Sequence, residues 1–278
     1  MKFEELEESL DLGEPINLFL FVYGPEEEDF YAYTDAETPI VLEGTPYYPN
    51  VISRGDINSS GTTDKRTLEI SLPSDDPVAE MFRVYPPSYP MAVWVYQGHV
   101  GAEDFALQWS GKVLSCSRDG SLGAALTCEP SSVSMQRVGL RRHYQYMCPH
   151  VLYGDQCKAN KAAATITVIP SAVSGRLLTL NTLISNPSHY AGGILEWENS
   201  EGRLEYRTIL QVQTVGGSTQ FTLSGVLRGA TVGAMMLASK GCAHNLSACG
   251  SVHNNIPNYG GQPFIPTKNP LGRSSPFL

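Results

Sequence analysis

Four cysteines constrain this chain more than any other feature. They fall as two pairs, Cys148 with Cys157 and Cys242 with Cys249, with eight and six residues between partners and 84 between the pairs. The segments that carry them, CPHVLYGDQC over 148–157 and GCAHNLSAC over 241–249, are rich in Gly, Pro and His and hold little from which to build a core. A fold that supports both has to bring two distant loops to one place. Thiolates are soft ligands, and four of them converge naturally on tetrahedral zinc or on an iron–sulfur cluster. Zinc knuckles space their cysteines by about two to four residues. Gaps of eight and six are more open and suit a larger object whose iron atoms lie at separate corners. Spacing alone leaves three options standing: a cluster, zinc, or no metal.

Other residues near the pairs read in two ways. His244 and His253 flank the second pair. They are candidate hydrogen-bond partners of the sulfurs or replacement ligands, and equally ordinary loop histidines. Tyr153 and Gly154 supply a bend just before Cys157. Cys116 and Cys128 fall on or beside expected strands and read as structural thiols.

The stretch between and before the pairs is strand-like. Ile16 to Val22, Met91 to Tyr96 and Leu122 to Cys128 are apolar runs, and Leu68, Ile70 and Leu72 alternate with polar Glu69 and Ser71. Gly44 marks a hairpin turn, and residues 198–202 (ENSEG) mark another. Asp75-Asp76-Pro77 starts a helix that Tyr85-Pro86-Pro87 stops within a turn or two. Long crossover helices are missing, so the first domain is expected to be a β-barrel, open or closed.

The expected organisation is a short amphipathic helix or arm over 1–13, with Phe3, Leu6 and Leu10 at helical spacing, then a β-rich domain over 14–130. A linker with the first cysteine pair follows over 131–162, then a second small β domain over 163–240. The second pair and an irregular extended tail occupy 241–278. Tyr259, Phe264 and Ile265 in that tail call for burial against the body or a neighbour.

Charged residues make up only 17% of the chain, which leaves much of its surface to neutral polar side chains and favours extensive interfaces. The net charge of -9 and the lack of a Lys/Arg-rich run argue against a phosphate-backbone binder. No apolar run reaches the roughly 18–20 residues of a membrane span, and the acidic start does not read as a signal peptide. Synthesis in a reducing cytoplasm is expected, where cysteines are poor evidence for disulfides. Arg137, Arg141, Arg142 and His143 form a basic patch ahead of Cys148, either a solvated face or a partner for an acidic surface.

The carboxylates at Asp75-Asp76, Glu26 to Asp29, and Asp35 with Glu37 read as caps and solvated loops, and no serine sits in G-x-S-x-G. The glycine pairs lack the strand–helix setting of a phosphate loop. No enzyme is expected. The best enzymatic form is a metal hydrolase using His244 and a cysteine with an open coordination position.

The two cysteine segments and the tail resemble a known family. Cys148-Pro149, Leu152-Tyr153-Gly154, Cys157, Gly241-Cys242, His244 and Cys249 look like the C-terminal region of tailed-bacteriophage tail-tip hub proteins. So do Asn258-Tyr259-Gly260-Gly261 and Pro263-Phe264-Ile265-Pro266. That group includes the lambda tail tip protein L and relatives in prophages and gene transfer agents. The resemblance is specific over about 140–278 and rests on layout over 14–130. It implies a β-rich hub domain and a [4Fe-4S] cluster held by Cys148, Cys157, Cys242 and Cys249, all four positions being filled. Cys116 and Cys128 lie outside the pattern, and the second β region is an insert relative to the lambda protein.

The resemblance further implies a place in the virion, at the tail tip or baseplate. There a trimeric ring would sit between a six-fold distal tail protein ring and a three-fold central hub or fibre protein. The tape measure protein would end inside the ring, and DNA would pass through its lumen without specific binding. In that setting Tyr259 and Phe264 would wrap the cluster. The reading from a different class is a cytoplasmic interaction module stapled by zinc or a disulfide.

Overall fold

A computed structural model of the chain describes residues 13–24, 29–57, 67–102, 104–118, 120, 122–136, 139 and 142–266. The expected N-terminal helix, most of the acidic loop at 26–29, Arg137, Arg141 and the tail beyond residue 266 lie outside these residues. The chain divides into two compact units, Met1–Val138 and Gly139–Leu278. Both are built on β-sheet, as the alternating and apolar runs require.

The first unit is one nine-stranded sheet. Its strands are β1 (Pro15–Tyr23), β2 (Asp29–Thr34), β3 (Ile40–Leu42), β4 (Thr45–Pro49), β5 (Ser53–Arg54), β6 (Leu68–Pro73), β7 (Met91–His99), β8 (Ala106–Ser117) and β9 (Gly123–Pro130). Their order is β3-β4-β2-β1-β7-β8-β9-β6-β5. The pairings are antiparallel except β2 with β4, which run parallel. The β3–β4 hairpin turns at Glu43 and Gly44, both with positive φ (50° and 83°), the conformation a two-residue hairpin favours.

That sheet cannot be flat. In strand order β4 and β5 stand seven spacings apart, about 34 Å in a flat sheet. Only Asn50, Val51 and Ile52 join them, a reach of at most about 15 Å. The sheet therefore rolls. Ile52, in that connection, packs into the same core as Phe19, Phe21, Ile70, Val93 and Leu126, while Tyr47 on β4 packs in a second cluster with Leu18 and Ala32. Polar contacts bridge the ends. Arg54 Nε on β5 donates to Asn17 Oδ1 on β1 at 2.8 Å, and Asn50 Nδ2 donates to Asp76 Oδ2 at 2.8 Å. Asp76 also caps the single-turn helix α1 (Pro77–Glu80) by accepting from Val78 N. The strand order has two ends, so the unit is β-rich and barrel-like in curvature without being a closed barrel.

Cys128 is fully buried in this core. Burial pushes its thiol from an ordinary 9.0 up to about 12, and burial likewise lifts Tyr47 from 10.0 to about 12. Both groups are held protonated by the fold, so the stability they contribute is fully present below their unfolded pKa and lost as pH rises from about 9 to 12. Cys128 should resist iodoacetamide at pH 8 in the native protein and label fully in denaturant; rapid native labelling would overturn the placement.

The second unit repeats the device with seven strands, β10 (Thr165–Val168), β11 (Pro170–Ser174), β12 (Leu177–Leu180), β13 (Ile194–Glu198), β14 (Leu204–Val215), β15 (Ser218–Leu223) and β16 (Met236–Ser239). The order is β10-β16-β13-β14-β15-β12-β11. The first and last strands of that order are separated in sequence by Ile169 alone, so edges about 29 Å apart in a flat sheet come within about 8 Å. Val168, Leu178, Leu195, Trp197, Phe221 and Ala238 fill the interior. The β13–β14 hairpin forms where expected, with Asn199 Oδ1 accepting from Glu201 N and Arg203 N at 2.9 Å each. The cysteine segments lie before β10 and after β16. These two strands are paired antiparallel, which puts the start of one beside the end of the other.

Candidate functional site

The pairing of β10 with β16 sets Thr165 opposite Ser239, and their hydroxyls lie 2.8 Å apart. The first cysteine segment leads into this seam and the second leads out of it, so the sheet brings Cys157 and Cys242, with 84 residues between them, to one place. The exit is tight. Gly241 N donates to His189 O at 2.8 Å, and a Cβ on Gly241 would stand 2.6 Å from both Gly192 C and Gly193 N. Glycine is required there by backbone contact.

All four predicted cysteines line one small cavity, together with His150, Leu152, His244, His253, Asn255, Asn258 and Tyr259. The two segments are tied directly. Cys148 N donates to His244 O at 2.8 Å, and His244 Nδ1 lies 3.0 Å from Cys148 O, so that nitrogen carries the proton. Tyr153 donates its hydroxyl to Lys240 O and meets the His253 ring edge-on at 5.8 Å. His253 Nε2 donates to Gly241 O at 2.9 Å, while its Nδ1 is buried with no partner among the described residues. Cys249 sits on the short helix α2 (Leu246–Ser251), whose N-cap Asn245 accepts from Ala248 N at 2.7 Å.

The sulfurs face hydrogen-bond donors. His244 N donates to Cys242 Sγ at 3.3 Å, Gly260 N to Cys148 Sγ at 3.4 Å, and Asn255 Nδ2 lies 3.8 Å from Cys157 Sγ. Cys249 Sγ donates to Asn255 O at 3.2 Å. Desolvation raises the pKa of Cys242 and Cys249, and the neighbouring thiols raise them further. Without a cation this setting disfavours the thiolate forms of Cys242 and Cys249; a bound cation would reverse that balance. Among the described residues no three His, Cys, Asp or Glu side chains are drawn in tightly enough to hold a single ion. The four thiols border one shared cavity.

Backbone conformation marks the same place. Among the described residues six non-glycine residues have positive φ, and four of them, Tyr153, Lys158, His244 and Asn254, lie in or beside the cysteine segments. For Tyr and Lys this region is unfavourable, and it persists only where surrounding contacts over-determine it. Such contacts are present: Tyr153 is anchored to Lys240 O, and Lys158 N donates to Gly154 O at 2.9 Å.

The tail divides. Tyr259 borders the cavity and donates to Tyr146 O at 2.9 Å, and Gln262 N donates to Gln145 O at 2.8 Å. Phe264 is 91% exposed, so within this chain it is unburied and wraps nothing, contrary to the expectation. Arg142 and His143 are also exposed and do not join the cavity, and Arg141 lies outside the described residues. His150 and Asn255 belong to the site without being singled out by the sequence, and Asn258 is marked there only as the first residue of the Asn258–Gly261 motif. His150 sits inside the first cysteine segment, and the asparagines precede the Tyr-Gly-Gly motif, which was the available signal.

Residues 188–269 match the family described as phage conserved hypothetical protein BR0599. The match includes Cys242, Cys249, Asn255 and Tyr259 and leaves out Cys148 and Cys157. The fold is similar to that of a chain in the virion of a native gene transfer agent particle, with a TM-score of 0.75 over 95% of this chain and 92% of that one. At 15% identity this likeness is one of fold. No curated protein matches the sequence.

Proposed function

We propose that this protein is a structural component of a phage-type particle, a hub subunit of the tail tip or baseplate. The observation that carries the reading is the fold shared, across nearly the whole chain, with a virion component of a gene transfer agent. The phage family match over 188–269 supports it independently from sequence. In the finer form of the proposal, three copies form a ring between a six-fold distal tail ring and a three-fold hub or fibre protein. The tape measure protein ends inside that ring and DNA passes through its lumen. The chain's low charged fraction suits contacts with non-equivalent neighbours, and its net charge of -9 is compatible with a lumen that does not hold DNA.

The donor set fits a [4Fe-4S] cluster, and Cys148, Cys157, Cys242 and Cys249 would hold it. A single zinc needs four sulfurs at about 2.3 Å from one centre. Four thiols lining one cavity, three of them facing N–H groups, are the donors such a cluster would use. When bound, the cluster supplies four iron–thiolate bonds that cross-link the two segments. The residues themselves orient the sulfurs: His244 joins the first segment to the second, and Tyr153 fixes the bend before Cys157.

Particles purified from a producing culture should contain the chain at half the copy number of the distal ring protein, and deleting it should give particles without a tail tip. Finding no trace of the chain in purified particles would overturn the proposal. Anaerobic purification should yield about four iron and four sulfide per chain; zinc alone would keep the staple and remove the cluster.

A further inference from the structure

Asn255 connects both cysteine pairs and is itself only 7% exposed. Its backbone N–H donates to Cys249 O at 3.0 Å, and its carbonyl accepts from Cys249 Sγ at 3.2 Å. Its side-chain amide reaches across 98 positions of sequence, donating to Cys157 O and lying 3.8 Å from Cys157 Sγ. The amide is oriented from its other end, where Oδ1 accepts from Asn258 Nδ2 at 2.7 Å. Asn258 in turn is held through its carbonyl, which accepts from His150 Nδ1 at 3.0 Å. One residue thus touches the last cysteine of each pair, and a second asparagine fixes which way its amide points.

We infer that Asn255 is a positioning residue for the metal centre, setting the place of Cys157 relative to Cys249 and directing an N–H toward the Cys157 sulfur. The inference rests on the cluster reading above. The chemistry asks for an amide in particular. A carboxylate of nearly the same shape would turn lone pairs and negative charge toward a carbonyl oxygen and a thiolate, with nothing to donate. Alanine would leave Cys157 O without its partner and free Cys157 to move. Partners of metal ligands in such positions change metal affinity by about 10- to 100-fold.

The test compares wild type, Asn255→Ala, Asn255→Asp and Asn258→Ala, all purified anaerobically as full chains. Iron release to a chelator is followed in the visible spectrum, together with the reduction potential of the bound cluster and thermal unfolding of the sheet. Both Asn255 variants should lose iron about tenfold faster or more, Asn255→Asp at least as fast as Asn255→Ala. The potential should move to more negative values as an N–H···S contact is lost. The unfolding temperature of the sheet should stay near wild type, because neither asparagine packs in its core. Asn258→Ala leaves Asn255 in place, should show an intermediate acceleration, and decides the matter if the Asn255 variants do not fold. Release rates within about twofold of a cluster-bearing wild type, with an unmoved potential, overturn the inference and leave the cluster reading intact. A wild type without iron and sulfide overturns both.

Discussion

Replacing Cys157 or Cys242 with serine is expected to abolish iron and sulfide binding and to loosen the two cysteine segments, while the seven-stranded sheet persists. The magnitudes decide this. A covalent link closing a loop of roughly 100 residues is worth about 4–5 kcal/mol in the chain-entropy picture. Metal binding adds to that, because its free energy is folding free energy. Against this stand the hydrogen bonds that join the segments directly: Cys148 N to His244 O, His244 Nδ1 to Cys148 O, His150 to Asn258 O, Gln262 N to Gln145 O, Tyr153 to Lys240 O, Tyr259 to Tyr146 O and Asn255 to Cys157 O. Each contributes about 1 kcal/mol net. Together they are of the same order as the link, so losing the centre is expected to loosen the two loops rather than to separate them. The core of the sheet contains none of the four cysteines and does not depend on them. Amide hydrogen exchange of a serine variant should show lost protection over 142–162 and 241–266 and retained protection in β13 to β15. Wild-type iron content with unchanged protection in both segments would sink the idea.

Gly241→Ala should be nearly as damaging, by a different route. The new Cβ would meet backbone atoms of Gly192 and Gly193 at 2.6 Å, and backbone cannot swing aside as a side chain can. Gly193 faces the same contact from the other side, its Cβ direction lying 3.0 Å from Gly241 N. Forced overpacking of this kind costs about 3 kcal/mol. The displacement would be passed to Cys242, the next residue, so iron content should fall along with stability. Gly175→Ala is the control. It faces open space but sits at φ 57°, so it should cost only about 1 kcal/mol and leave iron content unchanged. Urea unfolding with iron analysis separates the two; equal, small effects at both positions would mean that the contact at Gly241 relaxes easily.

Much of this architecture was legible because local signals agreed with the fold. The alternation at Leu68 to Leu72, the Asp-Pro helix start and the Glu43-Gly44 turn carry their structure in their chemistry. The curl was not legible strand by strand. It follows from strand order, and Ile169 announces nothing by its identity. β11 and β12 were missed because Ser171 to Leu180 mixes polar and apolar residues without a clean period. Phe264 is expected to pack on the body or on a neighbour, and on the body it is exposed; the hydrophobicity of a single side chain does not say which surface covers it. At the site, the cysteines were readable because thiols are rare and their pairing is conspicuous. Asn255 and His150 were not, since asparagine and histidine are ordinary loop residues until a partner 98 or 108 positions away is in place.

The insertion of an entire folded sheet between the two cysteine pairs has a consequence in time. At about 5–20 residues per second, roughly 4–17 s of synthesis separate the emergence of Cys157 from that of Cys242. During that interval the first pair has no second pair to meet. The meeting point, the seam of β10 and β16, is itself made from residues synthesised at the start and end of the interval. In the cluster reading, the centre cannot close until everything between the two pairs has been made. A chain that stalls in the middle has only its first pair to offer, so the proposed centre cannot form on it.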